Sequence, residues 1–110
     1  MLEYMIENTA PENVFYELDV YWTVMGKKSP VEFFEKYPGR FTMLHVKDHR
    51  EVGQSGMVGF DAVFANAEPA GMVEFVVEVE GCRNETALEG LRVSADYLLN
   101  APFVKDTYRK

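Results

Sequence analysis

The chain has 110 residues, 47% of them apolar, which is enough for one small domain with one modest core and too apolar for a disordered segment. Eighteen acids against eleven bases leave a net charge of −7, which argues against nucleic acid and against an anionic membrane surface as partners. The single cysteine, Cys82, excludes an internal disulfide, no apolar run approaches the ~20 residues that cross a bilayer, and the acidic start Met1 to Glu7 lacks the basic region of a secretory leader, so a cytoplasmic location is expected.

Leu2, Met5 and Ile6 fall on one side of a short helix over residues 2–8. Turn chemistry from Thr9 to Asn13 leads into a first strand, Val14 to Asp19, and then a loop from Thr23 to Lys28 that contains Gly26. Ser29, Pro30 and Glu32 carry the pattern of an N-cap, a first helical position and a capping-box partner, and Pro38-Gly39 stops the helix they begin. Phe41 to Lys47 is a second strand, apolar on both faces as far as His45, as a doubly buried parallel strand is. Residues 48–58 form a loop in which Gly53 and Gly56 suit tight backbone conformations. Phe60, Val63, Phe64 and Ala67 recur at helical spacing, with Pro69 near the helix end and Gly71 as its cap. Val73 to Glu80 is the third strand. Thr86 caps a last helix whose buried face is expected to carry Leu88, Leu91, Ala95 and Leu98, and Pro102 stops it.

A helix followed by three β-α units implies α/β architecture with parallel strands and right-handed crossovers. The C-terminal ends of such strands face the functional side. Asp19, His45 and Glu78 each close an apolar run, and the gaps between them are what one helix and two loops occupy. They are therefore expected to converge. An oxygen, nitrogen, oxygen donor set suits a divalent metal such as Mn²⁺, Mg²⁺ or Zn²⁺.

Each residue also has a plainer reading. Asp19 can cap the following segment, His45 can be a core histidine, and Glu74, Glu78 and Glu80 can form the wet face of a strand. Lys47 shares a face with His45 and can reach a substrate oxygen or pair with a carboxylate. Trp22 can be a stacking platform or ordinary core. His49 and Arg50 default to solvent, and Cys82 shows no nucleophile signature.

From about Val14 to Val104 the chain resembles the C-terminal part of the sugar phosphate isomerase/epimerase family, the xylose-isomerase-like TIM barrels. The resemblance rests on Glu17 to Trp22, Pro38 to Phe41, Leu44 to Asp48, Gly53 to Asp61, Ala70-Gly71, Val76 to Glu78 and Tyr97 to Leu99, taken in order and spacing. It implies that the three units are the last part of a (β/α)8 barrel, so that residues 1–110 form one partial-barrel domain ending in a polar tail over 105–110. It also implies a divalent metal held by Asp19, His45 and Glu78, with a fourth ligand, a glutamate, on an earlier strand that has no counterpart here. The chemistry implied is proton transfer beside a carbonyl through an enediolate, with Glu78 as one catalytic acid/base. The substrate side is expected to use Trp22, which stands where many relatives have a histidine, and Lys47.

The leading expectation is thus part of a metal-dependent isomerase or epimerase acting on a sugar or sugar phosphate, with an incomplete metal site and no activity in isolation. The alternatives are a related barrel acting as a dehydratase or lyase on keto-sugars, or a truncated, non-catalytic, oligomerising α/β module. Open strand edges and inner-face residues such as Phe41, Met43 and Val76 imply a homo-oligomer, most simply a dimer.

Overall fold

The computed structural model describes residues 1–83 and 86–105, so the tail expected over 105–110 lies outside the described residues apart from Lys105. The elements run α1 (Leu2–Glu7), β1 (Tyr16–Asp19), α2 (Val20–Met25), α3 (Pro30–Lys36), β2 (Phe41–Lys47), α4 (Phe60–Ala65), α5 (Ala67–Ala70), β3 (Glu74–Glu78) and α6 (Ala87–Asn100). The strands form one sheet in the order β1-β2-β3, with both pairings parallel. This is the α/β arrangement expected from the β-α spacing. Among the described residues, no helix is long and apolar enough to cross a membrane.

One sheet face is covered by helices. Leu18, Leu44 and Val46 are buried there, with Phe33 and Phe34 of α3 and Phe60, Val63 and Phe64 of α4. The rings interlock edge to face, Phe34 on Phe41 at 5.7 Å and Phe64 on Phe75 at 5.3 Å between centroids. The opposite face carries Glu17, Asp19, Met43, His45, Lys47, Glu74, Val76 and Glu78, following strand alternation and the register Asp19↔His45 and Lys47↔Glu78. That face is charged.

Phe41 does not join this charged face, contrary to its expected place among the inner residues. The register steps from Tyr16↔Phe41 to Glu17↔Met43, so β2 spends one extra residue against β1. The bulge reverses the alternation at its start and turns Phe41 onto α3, where it is fully buried.

Three further elements depart from the sequence expectation. The stretch expected as a loop from Thr23 begins inside α2, which starts directly after β1. Asp19 caps this helix, its Oδ1 accepting the Trp22 backbone N–H at 2.9 Å. The helix expected through Ala67 splits at Asn66, because Pro69 has no N–H to donate to the carbonyl of Ala65 four residues back. Gly71 still ends the second piece in the left-handed region at φ +90°, with its Cα side facing the backbone of Gly39.

In α6 the buried residues are Gly90, Ser94 and Leu98, while Leu88, Leu91 and Ala95 face outward. The helix packs against the 48–58 loop and α4 rather than along its leucine stripe. Ser94 Oγ accepts the Val52 backbone N–H at 3.0 Å, and Tyr97 meets Phe60 at 6.1 Å. The Thr86 cap on Glu89 N–H is formed as expected, at 3.2 Å.

This difference in burial is measurable. Leu88 is 78% exposed and Leu98 is 6% exposed. Leu98→Ala is expected to cost about 2–4 kcal/mol in urea unfolding, and Leu88→Ala less than about 0.5 kcal/mol. Equal losses at the two positions would mean that α6 presents its leucine stripe to the core after all.

A carboxylate, imidazole and ammonium cluster on the open sheet face

β1 and β3 flank β2, so parallel register alone brings their acids to the central His45. Its ring bridges both neighbours: Nδ1 lies 3.3 Å from Asp19 Oδ2, and Nε2 lies 2.8 Å from Glu78 Oε2. Glu17, two residues before Asp19 and therefore on the same face, reaches the same Nδ1 at 3.8 Å. One donor atom from each of Asp19, His45 and Glu78 can be chosen so that all lie within 4.8 Å of one another. All three side chains are partly buried.

His45 sits two residues before the end of β2, while Asp19 and Glu78 are the last residues of their strands. Asp19 serves two neighbours with separate oxygens. Oδ1 caps α2 and Oδ2 faces His45, so the cap leaves the second oxygen turned to the cluster.

Lys47 comes next along β2. Its side chain is 3% exposed, and its Nζ lies 2.5 Å from Glu80 Oε2 and 3.6 Å from Glu78 Oε2. Burial pulls the ammonium pKa down. The hydrogen bond to Glu80 and the negative charges of Glu78, Glu80 and Asp19 together outweigh burial and hold it above its ordinary value. Glu80 is correspondingly lowered by its hydrogen bond and proximity to Lys47. The salt-bridge reading of Lys47 is therefore realised in the structure. One carboxylate oxygen, Glu78 Oε2, stands between an imidazole and an ammonium.

The loop after β2 is organised by Asp48, which the sequence analysis did not single out. The residue is buried. Its Oδ1 accepts the His49 backbone N–H at 2.6 Å and the Ser55 hydroxyl, and its Oδ2 accepts the Gly53 N–H at 3.0 Å. Gly53 sits at φ +81°, where an added Cβ would lie 2.4 Å from the Tyr97 ring. Glu51 Oε1 accepts the Arg83 backbone N–H at 2.6 Å, which ties this loop to the one after β3. Two more residues stand beside the cluster. Trp22 is 58% exposed and so is not ordinary core, and Tyr21 Oη lies 3.2 Å from His49 Nδ1. The signals for Glu17 and Glu80 were present in the sequence as the two-residue period around Asp19 and Glu78. No local pattern marked the Tyr21–His49 contact, which joins α2 to the loop after β2.

The cluster is open. The clefts of about 240 Å³ between α2, α3 and α4 and about 230 Å³ beside Glu51 and Arg83 are lined by none of its three central residues. The donor set nonetheless fits a divalent cation in type and reach, with one imidazole nitrogen and two carboxylates from three adjacent strands.

The charge balance gives a pH test. A raised folded-state pKa means that Lys47 contributes stability fully below its unfolded value, near 10.5, and loses it as pH rises past that value towards the folded one. The difference in unfolding free energy between the native chain and Lys47→Met should be flat from pH 8 to about 10 and then move against the native chain. A difference that stays constant through pH 11.5 would contradict the assignment.

No protein-family model and no curated protein matches the sequence. Solved structures do, two of them as follows. One crystal structure of a sugar phosphate isomerase/epimerase from Parabacteroides distasonis ATCC 8503 is 47% identical, with a TM-score of 0.89, over 94% of this chain and 36% of its own. A second crystal structure of a sugar phosphate isomerase/epimerase from the same organism is 42% identical, with a TM-score of 0.87, over 94% of this chain and 37% of its own. The chain thus spans a little over a third of the length of these two proteins.

Proposed function

We propose that this chain, which belongs in sequence and fold to the sugar phosphate isomerase/epimerase family, supplies three ligands of a divalent metal in a site that moves a proton beside the carbonyl of a sugar or sugar phosphate. Asp19, His45 and Glu78 would hold the ion, Mn²⁺, Mg²⁺ or Zn²⁺. The observation that carries this reading is the imidazole of His45 reaching Asp19 and Glu78 across two parallel strand pairings. A bound ion of this kind supplies a Lewis acid for the carbonyl and hydroxyl oxygens of a ketose or aldose.

Glu78 is the base in this reading. Its carboxylate lies at the strand end, within reach of both His45 Nε2 and Lys47 Nζ, and is still partly open to solvent. It would take the proton beside the carbonyl and return it on the neighbouring carbon or the opposite face, the substrate passing through an enediolate. Lys47 keeps a positive charge beside the base, and Trp22 offers an exposed aromatic face to the sugar ring. Among the described residues the group has three members, so the reading calls for further donors on another polypeptide segment.

Mn²⁺ titration of the chain, followed by the broadening of His45 signals, tests the metal. Glu78→Gln should weaken binding by at least about tenfold with the fold intact by circular dichroism. Equal binding by the native chain and the variant would remove Glu78 from the site.

Assembly belongs to the same reading. The outer edges of β1 and β3 are unpaired within the described sheet, and Leu88, Leu91 and Leu99 form an exposed stripe on α6. A homodimer that covers these surfaces is the simplest arrangement. Sedimentation at micromolar concentration should give about twice the monomer mass of 12.6 kDa, and a concentration-independent monomer would rule it out.

A further inference from the structure

His49 is exposed, yet it is fixed at two points. Its backbone N–H donates to the buried carboxylate of Asp48 at 2.6 Å, and its ring Nδ1 lies 3.2 Å from the Tyr21 hydroxyl. Tyr21 is itself 8% exposed and packs edge-on against Trp22, with ring centroids 5.1 Å apart. The backbone N–H of Trp22 in turn donates to Asp19. Holding an exposed side chain in one orientation costs conformational entropy, and a hydrogen bond near solvent returns little of it. The core needs none of this, since the packed faces of α3, α4 and the sheet exclude the imidazole. An ordered polar group at a strand end is what a preorganised contact requires.

The position agrees. β1 and β2 are neighbours in register at Asp19↔His45. Tyr21 lies two residues past the first and His49 four past the second, so the pair closes the rim directly beyond the cluster. Tyr21 occupies Nδ1, and among the described residues no hydrogen bond reaches Nε2.

We infer that His49 is a substrate-contacting residue of this site, with Tyr21 the positioning residue that sets its ring, and that the two serve a hydroxyketone whose apolar side rests on Trp22. The inference rests on the reading of the cluster as a sugar site. His49 Nε2 exchanges a hydrogen bond with a substrate hydroxyl, and the Tyr21 contact fixes which ring nitrogen is presented. The role differs from that of His45, which bridges carboxylates.

The chain has two histidines and one tryptophan, so their side-chain signals can be separated. The probe is D-fructose, an uncharged hydroxyketone, added to the native chain while imidazole ¹⁵N–¹H spectra are recorded. The expected result is a saturable shift of the His49 imidazole and of the Trp22 indole. Tyr21→Phe should weaken the apparent affinity about threefold to tenfold, the range for one orienting hydrogen bond. His49→Gln should weaken the indole response by at least threefold. An unmoved His49 signal, or equal affinity in the native chain and Tyr21→Phe, overturns the inference. Mn²⁺ broadening of His45 is read separately in each variant. Failure of the metal reading therefore shows at His45, and failure of this inference shows at His49 and Trp22.

Discussion

A parallel sheet covered by helices on one face only must find another use for its second face. Here that face is lined with ionisable groups, and it is the parallel register that decides which of them meet. Asp19 is paired with His45, and Lys47 with Glu78. Side chains two residues apart share a face, so a single imidazole on the central strand reaches both flanking acids. Without that register, His45 would be a polar intrusion in an apolar run, and Lys47 a buried ammonium lacking its nearest anions. The helices supply stability through the other face, where phenylalanines of α3 and α4 interlock with the sheet. The division leaves the open face free to carry charges that a core would not tolerate.

Electrostatics sets the details of that face. Lys47 is almost completely buried and still holds its charge, because Glu78, Glu80 and Asp19 lie close enough to outweigh burial. Glu78 Oε2 consequently has two cationic or potentially cationic neighbours on different sides. A carboxylate so placed has a restricted set of positions, which is a requirement for a group that ligates an ion or carries a proton. Asp19 meets a related constraint differently, assigning one oxygen to the end of α2 and the other to His45. A helix cap thereby fixes the rotamer of a site residue, and the stability of α2 and the geometry of the cluster become coupled.

Much of this was legible in the sequence because it depends on period and spacing. The strand at Phe41–Lys47, the caps at Ser29 and Thr86 and the left-handed Gly71 follow from local rules, and local rules held there. The convergence of Asp19, His45 and Glu78 followed from the β-α repeat. What local patterns missed was decided by tertiary packing. Leu88, Leu91 and Ala95 make a convincing apolar stripe, but α6 turns inward a narrower face of Gly90, Ser94 and Leu98, where Gly90 lets Cys82 approach closely and Ser94 bonds Val52 of the 48–58 loop. Phe41 was assigned to the wrong face because a one-residue bulge is invisible to strict alternation. Val20 and Tyr21 belong to α2 although β-branched and aromatic residues favour strands, since the Asp19 cap and their burial outweigh that modest preference.

The loops beyond the strand ends show the same limit most clearly. Asp48 looks like an ordinary loop aspartate in the sequence. In the fold it is buried and gathers His49, Gly53 and Ser55, and its neighbour Glu51 reaches the backbone of Arg83 across the sheet. These contacts link the segment after β2 to that after β3, so the loops framing the open face are held by buried carboxylates as well as by the buried Val52 and Val58. Buried acids accept backbone N–H groups in defined directions, which apolar contacts do not impose. The rim of the open face is therefore specified as closely as the sheet beneath it. A framework of that kind suits the placing of His49 beside the Asp19–His45–Glu78 cluster, because its backbone is bonded to Asp48, while Tyr21 reaches the His49 ring and Trp22 is tied to Asp19 through its own backbone N–H.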